Sequence, residues 1–305
     1  MISPLNSSAA FFRRSLDDLS SLRGEAERLQ RAIGTGERIE RGSDDPLAAA
    51  RLRALDRAQA LGEVDEANAF RAAEELALGG DTLATITDEL FRARDLTIQA
   101  ASESLNDSQR ALIAEELDTI RQSLLAAANT VSIGDTPLFG GEVSGPAYVT
   151  DAGGAVRYVG TVQPGEIDVG QGISIERGVT GPDAFGFPAN GTQTDVFAFL
   201  AALSASLRDI AGDPAGAARA ALGGFDNALD SVNRAQTVIG VRAAWIDTVQ
   251  QTQVNLDEAR SRERAETGGA DITETIAKLQ QTLTVLEASQ AGFVRLSNLS
   301  LFDAI

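Results

Sequence analysis

PLNSSAAFFRRSLDDLSSLRGEAERLQRAIGTG, residues 4–36, decides how this chain is read. Leu5, Phe12, Leu19, Ala26 and Ile33 recur at intervals of seven. Ala9 and Leu16 fill the alternate position, and Leu22 and Leu29 then shift it by one. A seven-residue apolar period makes a helix with one narrow oily line, suited to a partner helix. Gly34-Thr35-Gly36 ends it, because glycine readily leaves the helical region.

The opposite end of the chain carries a similar line. Ile272, Ile276, Leu279, Leu283, Leu286 and Phe293 alternate steps of four and three, with Gln290 as the polar interruption. Leu296, Leu299 and Leu301 continue apolar, less regularly. Neither line has a partner next to it in sequence. Each would bury its face against the other, or against a neighbouring subunit. The same periodicity fits an ordinary buried helix at each end, and the placement of the two at opposite termini favours a closing pair.

Between these ends the pattern changes twice. Asp44-Asp45-Pro46 supplies a cap and a first-turn proline for a helix running to about Leu78. Gly79-Gly80 is expected to interrupt it, with Asp81 capping a further helix through Leu83, Ile86, Leu90 and Ile98. Another helix follows from Leu112 to Ala128. From Gly134 to Thr192 glycines punctuate short β-prone runs, Ala147–Thr150, Val156–Val159 and Ile173–Ile175, with Asp151–Gly154 as a hairpin turn. Helix returns at Thr194-Asp195 and again after Gly212-Asp213-Pro214, ending before Gly268-Gly269. The fold class is therefore mainly α with a small β-rich insertion, the N- and C-terminal segments forming a long antiparallel helical rod or coiled coil. Its expected divisions are residues 1–42, an N-terminal inner arm; 43–133, a helical rod; 134–192, a small β-rich outer domain; 193–268, a second helical rod; and 269–305, a C-terminal inner arm. Trp245, the one tryptophan, lies near the apolar line of the long second rod and is expected in its core.

Composition removes several function classes. Net charge is −18 over 305 residues, which argues against nucleic-acid binding and against docking on an anionic membrane surface. No apolar run approaches a membrane span, so no membrane insertion is expected. The first fourteen residues lack a cleavable leader pattern, their arginines following the apolar run. With no Cys and no His, thiolate nucleophiles, thiolate zinc sites and histidine relays are absent. Lys278, the only lysine, has no phosphate-binding loop around it. Gly170-Gln171-Gly172 begins a dinucleotide-like pattern, but Ile175 stands where the third glycine belongs. The adjacent acidic pairs Asp17-Asp18, Asp44-Asp45 and Glu115-Glu116 point about 100° apart on a helix and make no dyad. No enzyme, cofactor or metal site is expected.

A family likeness rests on three separated stretches in order. Arg28–Ile39, followed by Gly42-Ser43-Asp44-Asp45-Pro46-Leu47-Ala48-Ala49-Ala50, resembles the N-terminal signature of the flagellin superfamily. Leu90–Ala101 resembles its second N-terminal signature, and Asn298–Phe302 its closing motif. Pro46, the run Thr136-Pro137-Leu138-Phe139-Gly140-Gly141, the ending Ser300-Leu301-Phe302-Asp303 and the small β-insertion are similar to the hook-associated junction branch rather than to filament flagellins. A short filament-forming flagellin is the alternative.

The resemblance implies a structural subunit of the bacterial flagellum, exported through its type III apparatus without leader cleavage and located outside the cell. It implies terminal arms that order on assembly. It also implies, as partners, other copies of the chain, an adjoining hook-associated protein, flagellin, and a cytoplasmic export chaperone on the C-terminal arm. The assembly interface expected from the two apolar lines is Leu5, Phe12, Leu16, Leu19, Ile33, Ile272, Ile276, Leu279, Leu283, Leu286, Phe293 and Leu296.

Overall fold

The computed structural model describes residues 4–189 and 191–302, with backbone alone for residues 4–9, 11 and 296–302. Its helices are α1 (Pro4–Thr35), α2 (Pro46–Ala100), α3 (Asp107–Ala128), α4 (Gly181–Phe185), α5 (Val196–Arg208), α6 (Pro214–Gly268) and α7 (Ile272–Phe302). Six short strands, β1 (Tyr148–Thr150), β2 (Val156–Tyr158), β3 (Glu166–Asp168), β4 (Ser174–Glu176), β5 (Gly186–Ala189) and β6 (Thr192–Asp195), form three two-stranded antiparallel ribbons. The chain divides into two compact units, Met1–Ala60 with Leu256–Ile305, and Leu61–Asn255.

The second unit holds nearly all of the apolar core. On α6, Phe225, Val232, Ile239 and Ile246 are buried at intervals of seven. They meet Leu76, Leu83, Ile86 and Leu90 of α2, Leu117, Ile120 and Leu124 of α3, and Leu200, Leu203 and Leu207 of α5 in one cluster. Each such side chain contributes roughly 1.5–3 kcal/mol by leaving water. Within this unit α2 and α6 run antiparallel: Gln236 Nε2 donates to Thr87 Oγ1 at 3.4 Å, Arg94 pairs with Asp226 at 3.4 Å, and Arg219 donates to the Ala101 carbonyl at 3.2 Å. Local chemistry starts the other helices. Asn106 and Gln109 exchange side-chain and backbone hydrogen bonds at the head of α3, and Asp195 accepts the Ala198 amide at the head of α5.

The β-rich segment packs on an aromatic cluster, with Phe139, Tyr148, Phe185 and Phe197 in edge or tilted contact at 4.9–6.1 Å between centroids. The turn expected at Asp151–Gly154 is present, its Asp151 carboxylate accepting the Gly153 and Ala155 amides. β4 overlaps the run read at Ile173–Ile175, whereas β3, the β5–β6 ribbon and the short α4 go beyond the runs read from sequence. β3 has only one central apolar residue, Ile167, and β5 contains Pro188, so neither shows a strong strand pattern.

Two expectations are corrected. The helix expected to break at Gly79-Gly80 is continuous through α2. Gly79 lies at a close approach of the two helices: a Cβ there would sit 3.2 Å from Ile239 Cδ1 of α6. Trp245 is not a core residue and stands 54% exposed. The buried line of α6 passes through Ile246, and the preceding residue points about 100° away.

Candidate functional site: the paired terminal helices

In the unit formed by the two ends of the chain, α1 and α7 pack against each other. Their antiparallel register is fixed at both ends. The Phe12 and Phe293 rings meet edge to face, 5.5 Å between centroids. At the other end Ala270 donates its amide to the Gly36 carbonyl at 2.8 Å. On α1 the sheltered residues are Phe12, Ser15, Leu19, Leu22, Ala26, Leu29 and Ile33, alternating steps of three and four. On α7 they are Thr275, Leu279, Thr282, Leu286, Ser289 and Phe293. Small hydroxyl residues thus alternate with large apolar ones on the C-terminal side of this seam.

The residues singled out from sequence fall into three groups. Phe12, Leu19, Ile33, Leu279, Leu286 and Phe293 are half-buried along the seam. Leu16, Ile272, Ile276 and Leu283 face outward, exposed by 54%, 41%, 40% and 42%. The side chains of Leu5 and Leu296 lie outside the described residues. Two adjacent lines on α7 share Leu279, Leu286 and Phe293. The pair uses the line completed by Thr275, Thr282 and Ser289, leaving Ile272, Ile276 and Leu283 on an outer edge. Sequence periodicity favoured the oilier line, while the short Thr and Ser side chains are those facing α1.

The loop between α1 and α2 clasps the loop between α6 and α7. Gly36, at φ 74°, turns the chain where a Cβ would be strained. Glu37 bridges to Gly269, and the Arg38 amide donates to the Gly268 carbonyl at 2.7 Å. The Arg38 guanidinium donates to the Thr267 carbonyl at 3.0 Å and to Asp45 at 3.4 Å. Asp45 in turn accepts the Ala48 amide at 3.0 Å, capping α2. That amide, followed by Arg38, holds the Asp45 carboxyl below its ordinary pKa. Arg31 grips Glu40 with two hydrogen bonds, 2.8 and 3.1 Å, which likewise depress the Glu40 carboxyl. Beyond the loops, Arg51 pairs with Glu263 and Arg264 with Asp56. Asp271 accepts the Glu274 amide and so caps α7.

These polar residues make a structural joint. Among the described residues no group of three carboxylates is placed to hold a metal ion, and no helix is long and apolar enough to cross a membrane. Nothing in the local sequence marks the role of Arg38, because the carbonyls it binds, those of Thr267 and Gly268, lie more than two hundred positions away.

Residues 12–144 match the family described as the bacterial flagellin N-terminal helical region. That match spans α1 from Phe12 onward, the clasp loop, α2 and α3. Over those residues the chain is similar to bacterial flagellins. Similar curated proteins include the flagellar hook-associated protein 3 of Escherichia coli, 24% identical over 97% of this chain and 98% of that protein. Two solved structures share the fold of this chain. One is a provisionally named flagellar hook-associated protein of Vibrio parahaemolyticus, 22% identical with a TM-score of 0.67 over 74% of this chain and all of that one. The other is the flagellar junction protein FlgL of Legionella pneumophila, 15% identical with a TM-score of 0.58 over 72% of this chain and 99% of that one.

Proposed function

We propose that this chain is a structural subunit of the bacterial flagellum that joins the hook-associated proteins to the flagellin filament. The observation that carries this reading is end-to-end agreement with curated relatives from two organisms, both hook-associated protein 3, over 97% of this chain and 98% of each relative. The architecture supports it. Among the described residues the buried apolar side chains of the unit built from the two ends are Ala26, Ala49 and Leu55. So small a core gives little stability on its own, and the outer edge of Ile272, Ile276 and Leu283 supplies apolar surface for neighbours to cover.

In this reading the arms complete their burial only beside other copies of the chain, an adjoining hook-associated protein and flagellin. A cytoplasmic chaperone shields the C-terminal arm before export through the type III apparatus, with no leader removed. The site of action is extracellular, on the flagellum.

Deleting the gene tests the proposal by electron microscopy. Hooks without filaments, with flagellin shed into the medium, are expected. Intact filaments on the deletion strain would refute it, and complete loss of filament protein would assign the chain to filament flagellin. Leu283→Asp tests the outer edge. The purified chain should melt as wild type does, because Leu283 is already exposed, yet the variant should be missing from isolated flagella. Its normal incorporation would remove that edge from the interface.

A further inference from the structure

We infer that a groove beside Trp245 receives an arginine side chain from a second copy of this chain, locking neighbouring subunits side by side. The inference rests on the reading of the chain as an assembling subunit. The groove lies within the unit Leu61–Asn255 and is lined by Glu166, Ile175, Glu176, Val241, Arg242 and Trp245. Trp245 and Val241 are exposed by 54% and 66%, so an indole face is open to solvent. Glu166 and Glu176 stand directly opposite each other in the β3–β4 ribbon. Facing like charges destabilise a two-stranded pair unless a cation sits between or beside them. Arg242 pairs with Glu176 and also donates to the Gly178 carbonyl. Glu166 has no cationic partner among the described residues. An open indole beside an uncompensated carboxylate is the chemistry that holds a guanidinium, through cation–π contact and a charge-assisted hydrogen bond.

The chain itself offers the matching group. Arg71 on α2 is exposed, makes no ion pair among the described residues, and follows Phe70, which is 57% exposed. The knob and the groove share one height. Glu75 of α2 binds Arg177, and Arg242 of α6 binds Glu176 and Gly178, so both helices are pinned to the same three-residue stretch. Arg71 precedes Glu75 by one helical turn and Trp245 follows Arg242 by about one, in helices that run oppositely. The axial offset between them is therefore only a few ångströms, about 1.5 Å per residue. Copies set side by side without axial displacement bring Phe70 towards Val241 and Trp245, and Arg71 towards Glu166. A contact between unlike faces closes into a ring or runs on as a helix.

The absence of cysteine makes the test direct. Arg71→Cys and Glu166→Cys chains are co-expressed, flagella are isolated, and bis-maleimidoethane is added. A cross-linked dimer is expected from the mixture and from neither variant alone. A charge exchange supplies the second measurement. Arg71→Glu or Glu166→Arg alone should lower the amount of chain in flagella about tenfold, as expected for like charges forced together at an interface. The two changes combined in one chain should restore it. Glu166→Arg should not lower the melting temperature of the purified chain, since it relieves the Glu166–Glu176 repulsion. Flagella that contain the chain but yield no dimer and no rescue overturn the lateral contact while leaving the assembly reading intact. Cross-links running only to a different flagellar protein overturn the choice of a second copy. A wild-type chain missing from flagella altogether overturns both.

Discussion

Glu75 and Arg177 form the most deeply buried ion pair of the second unit, with side chains 7% and 26% exposed. Two hydrogen bonds of 2.5 and 2.6 Å join them, and the Thr136 hydroxyl accepts a third from the guanidinium at 2.8 Å. The pair ties α2 to the segment following β4, and the carboxylate raises the Arg177 pKa. Removing one partner leaves a charge in a site that water reaches poorly. Glu75→Ala should therefore cost about 3 kcal/mol, read as a lower midpoint in urea unfolding. Glu75→Met together with Arg177→Met should lose much less, since no uncompensated charge remains. Sequence alone shows neither residue as special. The partners lie about a hundred positions apart, and both types are normally solvated.

At the scale of elements, the clasp predicts a pH response. Asp45 and Glu40 have carboxyl pKa values below their ordinary ones in the folded chain. Groups of that kind add stability above the unfolded-state pKa and lose it as pH falls through the depressed folded value. Acidification below about pH 4 should loosen the joint between the α1–α2 and α6–α7 loops. Hydrogen exchange at the Arg38 and Ala270 amides, both bonded across the clasp, would then quicken before that of the α2–α6 core. The elements themselves were largely legible. The α1 line of Phe12, Leu19, Ala26 and Ile33 is sheltered as its period implied, and α6 ends beside the glycines that marked its limit. The choice of seam on α7 was less so, because periodicity weighs hydrophobicity and the pair selected the line with small hydroxyl residues. Gly79-Gly80 misled for a similar reason. A glycine pair signals a break from the viewpoint of one helix and close packing from that of two.

For the whole molecule, the contrast between units is thermodynamic. Leu61–Asn255 contains the continuous core, whereas the unit made from the two ends has the three small contributions of Ala26, Ala49 and Leu55 among its described residues. Opening free energies follow buried contact. Limited proteolysis of the purified chain should trim the ends first and leave a resistant fragment close to Leu61–Asn255, identified by mass spectrometry. Uniform resistance along the chain would contradict this difference in stability.

The antiparallel register of α1 and α7 also governs where a label can be carried. Phe12 and Phe293 meet at one end of the pair, so a fluorescent fusion attached ahead of α1 or behind α7 would crowd the same neighbourhood, and moving it from one terminus to the other would bring little relief. The exposed turn Asp151–Gly154, closed by its own aspartate, offers a different address for an epitope, one that leaves the seam unencumbered.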